Sequence, residues 1–327
     1  MRQPEPAGHK IRYKNPRVLV LGSDTVHKKV RVALLSVGSN AVLTTGKLIA
    51  GLSMHSVSVL SEAFHSGTDL LAALIAFFSV RQSCKPPDER HHFGHGKFEN
   101  VASIIEALLI VVAAGVIIWH AVEKLVHPTP VEALGLGAIV MGISAAVNLV
   151  VSRILMQTGR ETDSPALIAD AWHLRTDVYT SVAVLLGIGF IKLTGWTPID
   201  PLLGIAVALF ILKAAYDLIT ESMHSLLDVR LPASEEEAIR EVLLSHSNEF
   251  IEYHALRTRK AGSQRFIDLH IVAPPHREIA QMYPVCASIE HEIKERLPNA
   301  SVLIHVEPCT QPCEECTVPC EERAGSR

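Results

Sequence analysis

Between residues 32 and 219 six long apolar runs follow one another, at 32–52, 57–80, 101–122, 134–155, 166–193 and 202–219. A bilayer core about 30 Å thick takes roughly 20 apolar residues to cross as a helix. Buried helices of a large soluble core would need polar outer faces, and runs of this length and number leave none. The sequence therefore predicts an α-helical membrane protein. A short N-terminal tail, 1–28, precedes a six-helix transmembrane domain at 29–222. A small α+β domain at 223–308 and a Cys-containing tail at 309–327 complete the chain.

Charged residues make up only 20% of the chain, against about 25% in ordinary domains. That average joins an apolar half to a tail of soluble composition that begins near Pro232. A simple soluble enzyme, a disordered chain and a disulfide-stapled secreted module are all excluded. The net charge of -4 gives no reason to expect nucleic acid as partner. Seventeen histidines put metals and protons first among the ligands to consider. The leader carries Lys10, Arg12, Lys14, Arg17, Lys28, Lys29 and Arg31, without an apolar stretch like a signal-peptide core. Arg81, Lys85, Arg90 and Lys97 lie between the second and third runs, and Arg153 and Arg160 near the fourth-to-fifth connection. The opposite loops hold only Lys124 and Lys192, at helix ends. The positive-inside rule then places both termini in the cytoplasm, in a multi-pass protein of the plasma (bacterial inner) membrane surrounded by lipid.

Two octets inside the apolar runs match each other. Glu62-Ala-Phe-His65-Ser-Gly-Thr-Asp69 in the second run parallels Asp170-Ala-Trp-His173-Leu-Arg-Thr-Asp177 in the fifth. In each, the acid, the His and the Asp fall at i, i+3 and i+7, on one helical face. At about 1.5 Å per residue both stripes reach mid-membrane, on antiparallel helices. Ionisable groups at that depth cost about 2.5–3.5 kcal/mol each on insertion scales, so they must pair or coordinate something. His65, Asp69, His173 and Asp177 supply the four N and O ligands that a tetrahedral divalent zinc accepts. Two carboxylates cancel its charge; emptied of metal, the same groups take up protons. A plain His–Asp pair gluing two helices is the blander account, and the duplication of the octet argues against it. Glu62 and Asp170, one turn away, are placed to orient the histidines or to carry protons. Lys47 and Glu106 also sit within the runs, with nothing to fix their facing.

With these motifs the chain resembles the cation diffusion facilitator family, from about Val30 to Pro308. The resemblance rests on His65-x3-Asp69, on the loop from Asp88 to Lys97 (DERHHFGHGK), and on His173-x3-Asp177. It rests also on the strings His254-Ala-Leu-Arg-Thr-Arg259 and Arg265-Phe-Ile-Asp-Leu-His270. It implies a homodimeric divalent-metal/proton antiporter whose transport site is His65, Asp69, His173 and Asp177. Zinc (Zn2+) is the favoured substrate and regulatory ion, ahead of iron, manganese, cadmium or cobalt. It further implies a loop metal site at Asp88, His91 and His95, in a segment that Pro86, Pro87 and Gly94 make turn-rich rather than helical. Lys97 and Asp228 are expected to form a charge pair at the membrane–cytoplasm junction that helps hold the dimer together.

In the tail, Ser234 with Glu237 reads as a capping box opening a helix. Strands are expected at 253–259 and 265–272, around a turn at Ala261-Gly262-Ser263. A helix is expected at 282–297, with Pro284 in its first turn, and a last strand at 301–307. This pattern resembles the family's metallochaperone-like (ferredoxin-like) cytoplasmic domain. The resemblance implies a metal site of His254, His270, His305 and Glu307, expected to converge only in the folded dimer. Cys309, Cys313, Cys316 and Cys320 depart from the family pattern; their thiolates are a further soft-metal candidate.

Two other functions compete with the transporter. Glu62-x-x-His65 imitates the Glu-x-x-His element of di-iron bundles, which would make a membrane di-metal oxidase. A non-transporting metal sensor or scaffold would keep the fold without the flux.

Overall fold

The structure is a computed structural model of the 327-residue chain, describing residues 23–54, 57–127, 136–194, 198–275 and 277–310. Side chains at 23, 54, 57–62, 136–141 and five positions late in the fifth helix fall outside that description.

Six long helices form first: α1 (Ser23–Met54), α2 (Val57–Ser83), α3 (Lys97–Val126), α4 (Leu136–Glu161), α5 (Pro165–Thr194) and α6 (Ile199–Leu226). The shortest has 26 residues, a length of about 39 Å. α1, α2, α3 and α6 carry stretches long and apolar enough to cross a membrane. Each helix overruns its apolar run at the end nearest the tail. α1 begins at Ser23 and α3 at Lys97, ahead of runs expected from 32 and 101. Small residues sit where the helices meet: Ala72, Ala73, Ala76, Ala107, Ala114, Ala169, Ala208 and Ala215 are fully buried. They let backbones approach closely, the usual basis of helix association in a bilayer, where hydrophobicity gives no net pull. Large side chains such as Phe64, Leu71, Val112 and Trp119 point outward. The principal pairings are α3 on α6, α1 on α2 and α4 on α5.

The tail adds α7 (Ala233–Ser245), β1 (Glu252–Ala261), β2 (Gln264–Ala273), α8 (Ile279–Arg296) and β3 (Ala300–Pro308). The sheet runs β1-β2-β3, with β1 antiparallel and β3 parallel to β2. A parallel neighbour needs a crossover, which α8 supplies. From Phe266 to Ile271 β2 alternates: Ile267, Leu269 and Ile271 are buried against α7 and α8, through Ile239, Val242, Leu243, Met282, Val285, Ile289 and Ile293. Phe266, Asp268 and His270 therefore take the open face.

Two expectations are corrected here. No capping box opens α7: its N-cap is Pro232, with no side-chain cap, and Ser234 lies inside the first turn. Pro232, with φ -52° and ψ 147°, sets the entry instead. α8 starts three residues before the expected position, so Pro284 falls in its second turn rather than its first. The capping box that the helix does have joins Glu278 and Gln281. The lost backbone bond at Pro284 is tolerated because Met282, Val285, Ile289 and Ile293 anchor the helix on the core.

Candidate metal sites and the junction between domains

α2 and α5 bring the two octets together crosswise. His173 Nε2 lies 3.3 Å from Asp69 Oδ1, and His65 Nε2 lies 3.6 Å from Asp177 Oδ1. Each histidine thus meets the aspartate of the other octet. Ligand atoms of His65, Asp69 and Asp177 all fall within 4.8 Å of one another, and His173 joins them through Asp69. Asp69 and His173 are buried, whereas the His65 side chain is 52% exposed. Asp170, one turn from His173, is fully enclosed, and neither of its oxygens closes a hydrogen bond. Glu62 lies among the side chains outside the description. Lys47, whose facing the sequence leaves open, donates to Ser66 Oγ at 2.7 Å.

The α2–α3 loop holds a second cluster. Asp88, His91 and His95 place ligand atoms within 4.8 Å of one another. His91 Nδ1 is 3.1 Å and His95 Nε2 3.3 Å from the Asp88 carboxylate. The backbone N–H groups of His91 and Arg90 donate to Asp88 Oδ1 at 2.7 and 2.9 Å. These bonds pull the Asp88 carboxyl down to about 2, so it is an anion at any physiological pH. Gly94, at φ +83°, makes the turn that returns His95 to it.

On the open face of the sheet the third cluster is a cross-strand row, His254↔His270↔His305, one residue from each strand. His270 Nδ1 is 2.8 Å from Glu307 Oε1 and His254 Nε2 3.3 Å from Glu307 Oε2. His254, His270 and Glu307 form a compact ligand group. His305 stands beside it, its ring centre 4.9 Å from that of His270 and its Nε2 3.8 Å from Glu307. These residues meet within one chain, which corrects the expectation that only a dimer would gather them. The reason is a β-bulge that the sequence pattern hides. β1 takes three steps from His254 to Arg257 while β2 takes two from His270 to Asp268. The extra residue carries Ala255 to φ 50° and turns His254 from the packed face to the open one. Of the C-terminal cysteines, Cys309 is placed, its N–H donating to Ala273 O at 3.1 Å. Cys313, Cys316 and Cys320 lie outside the described residues.

The tail is fastened to the helices by contacts that sequence reasoning largely missed. Lys97 Nζ donates to Asp228 Oδ1 at 2.9 Å, and Arg259 reaches the same oxygen at 3.4 Å. The Lys97 bond, with Arg259 adding to it, holds the Asp228 carboxyl below its usual range. This expected charge pair forms within a single chain. Arg259 also lies over the rings of Phe93, from the loop, and Phe266, from the sheet, at 4.7 and 4.3 Å. The tip of the β1–β2 hairpin enters the helix ends. Lys29 and Glu99, 0% and 1% exposed, pair at 3.2 Å, and Lys29 also donates to Ser263 Oγ at 3.1 Å. Ser83 and Ser164 donate to Glu99, and Gly262 N–H donates to Asn100 Oδ1 at 2.9 Å. A Cβ on Gly96 would stand 2.2 Å from Ala261 O, and one on Gly262 2.5 Å from Gly96 O. Only glycine fits either position. Asp163, between α4 and α5, accepts from Lys260 and Arg265 at 2.7 Å each.

Six long helices carrying a His/Asp cluster, joined to an α+β domain with a row of histidines beside a glutamate, fit the class of metal-cation transporters. The sequence agrees: the cation efflux transmembrane domain matches residues 33–227 and the cation efflux cytoplasmic domain residues 231–309. The chain belongs to the cation efflux (cation diffusion facilitator) family. It is 38% identical to an uncharacterized transporter of Synechocystis sp. over 281 residues, 86% of this chain and 90% of that one. It is 31% identical to the cation-efflux pump FieF of Escherichia coli over 280 residues, 86% of this chain and 93% of FieF. A solved structure of the zinc form of the putative zinc transporter CzrB is 30% identical, covering 26% of this chain and 97% of that one, with a TM-score of 0.25.

Proposed function

We propose that the protein is a homodimeric antiporter that expels a divalent transition metal, foremost Zn2+, from the cytoplasm in exchange for protons. In this reading all six helices cross the membrane, with both termini in the cytoplasm, and residues 29–222 form the transport domain. The observation that carries it is the crosswise meeting of the octets: His65 with Asp177 and Asp69 with His173. An incoming divalent ion replaces two His–Asp contacts with up to four metal–ligand bonds and is neutralised by two carboxylates. When it leaves, the same atoms pair again and take up protons, so metal and proton exclude each other at one site. Imidazole ligands favour zinc, iron or nickel over manganese, which prefers oxygen. The relation to FieF, a cation-efflux pump, supports the direction of transport.

The loop cluster at 88–95 and the histidine row of the domain at 223–308 are read as cytoplasmic metal sites, and Glu307 as the ligand that both His254 and His270 reach. Zinc there is proposed to draw two tail domains together and to regulate the flux. The test is zinc flux in sealed vesicles under an imposed pH gradient. Zinc entry coupled to opposite proton movement, abolished in His173→Ala, is expected. Unchanged flux in that variant overturns the assignment.

A further inference from the structure

Glu106 on α3 and Asp170 on α5 are 0% and 1% exposed, and among the described residues all four of their carboxylate oxygens lack a hydrogen-bond partner. Two other buried carboxylates are answered: Glu99 has Lys29 and two serines, and Asp69 has His173. Among the described residues Asp170 is the ionisable group that acts on Glu106, and none on α2 or α6, the other helices packed on α3, does so. Asp170 in turn feels His173 and Asp69, and the Ser36 hydroxyl faces it without closing a hydrogen bond. Two unpartnered carboxylates in a low-dielectric interior repel each other and lose their hydration. Both cannot be anions together.

The surroundings extend the pattern. Ser36, Asn40, Ser103 and Asn148, on α1, α3 and α4, also present buried polar atoms without a partner. Along the helix axes Asp170 lies about 7.5 Å and Glu106 about 13.5 Å from the tail-side ends, with His173 and Asp177 at about 12 and 18 Å. By the same measure Ser103, at about 9 Å, is a further unanswered group on the tail side of the His/Asp cluster, whereas Ser36, Asn40 and Asn148 lie at or beyond its level. Buried polar groups of this kind are commonly satisfied by water, and intramembrane carboxyls are recurrent members of proton relays.

We propose that Glu106 and Asp170 share a proton at a site separate from the metal ligands, and that this pair passes protons between the His/Asp cluster and the cytoplasmic side. The step moves a proton only: one leaves the His/Asp cluster for Glu106, and the proton already on the pair departs from Asp170 towards the cytoplasm. The inference rests on the antiport reading. It adds to it a second titrating site that zinc does not touch.

The experiment uses the full chain in proteoliposomes, with zinc as the only metal, a zinc indicator and a pH-sensitive dye. If the parent protein moves zinc without protons, the antiport reading fails first, and the pair with it. If the parent moves both, Glu106→Gln is expected to cut zinc-linked proton movement by about tenfold while zinc binding stoichiometry stays that of the parent. Glu106→Asp is expected to restore it. Parent-like proton movement in Glu106→Gln overturns the pair alone. Infrared spectroscopy of the unaltered protein at neutral pH provides the second measurement, should Glu106→Gln fail to fold. The C=O stretch of a protonated, buried carboxyl is expected, and its absence overturns the proposal.

Discussion

Replacing Lys29 by Met measures how firmly the tail is held. Lys29 Nζ lies 3.2 Å from Glu99 Oε1 and 3.1 Å from Ser263 Oγ, in a setting closed to solvent. Met keeps most of the apolar stem and removes the charge. Glu99 then retains the Ser83 and Ser164 hydroxyls but has no counter-ion. Breaking a buried ion pair from one side costs about 3–5 kcal/mol. Two surviving hydrogen bonds to the carboxylate, each about 1.5–3 kcal/mol, place Lys29→Met at the lower end, about 3 kcal/mol. Glu99→Gln strands the ammonium instead, with one hydroxyl for company, and belongs nearer about 4 kcal/mol. Removing both charges together leaves neither stranded. The double variant should therefore lose about 2 kcal/mol less than the sum of the singles. Denaturant unfolding of the detergent-solubilised full chain gives all four corners of the cycle. Additive effects, or a loss under about 0.5 kcal/mol for Lys29→Met, would refute the account of the pair as the buried fastening.

The β-bulge offers a test of opposite sign. Ala255 holds φ 50°, which disfavours a Cβ, so Ala255→Gly should stabilise the tail by about 0.5–1 kcal/mol with zinc binding kept; a lower Tm would contradict this. His246 gives a pH dependence. Burial works against its charge, but Glu249 at 3.0 Å and Glu292 at 2.8 Å outweigh it and raise its pKa. A folded value above the unfolded one means that the stabilisation is complete below about pH 6.5 and disappears as pH rises through the folded value. His246→Gln should thus lower Tm most in acid and progressively less towards alkaline pH, and a pH-independent difference would refute the pairing.

The elements most legible in the sequence are those that repeat a simple period. The apolar runs located the helices within a turn or so at most ends, because nothing else in a bilayer accommodates such stretches. The two octets could be matched residue for residue, and α2 and α5 bring them together. The strands and their turn at Gly262 were also readable. What escaped was set by tertiary packing. The bulge at Ala255 leaves no compositional trace, yet it alone aims His254 at His270 and Glu307. Lys29 reads as one more basic residue of the leader, and Glu99 as an ordinary first-turn acid of α3. The hairpin that reaches them through Gly262 and Ser263, arriving from more than 160 residues away, helps make them a buried pair. Ser234 and Glu237 had the right spacing for a cap, but Pro232 had already fixed the start of the helix.

The glycine contact between Gly96 and Gly262 leaves no slack between the hairpin and the mouth of the helix bundle. From that contact β1 runs back, seven residues from Ala261 to His254, about 23 Å of extended chain. One end of this stiff bar abuts α3; the other carries His254, a proposed metal ligand. A small rotation of the bar about its glycine fulcrum would swing the distant imidazole through a larger arc, so crowding or release at either end is felt at the other without any intervening loop to absorb it.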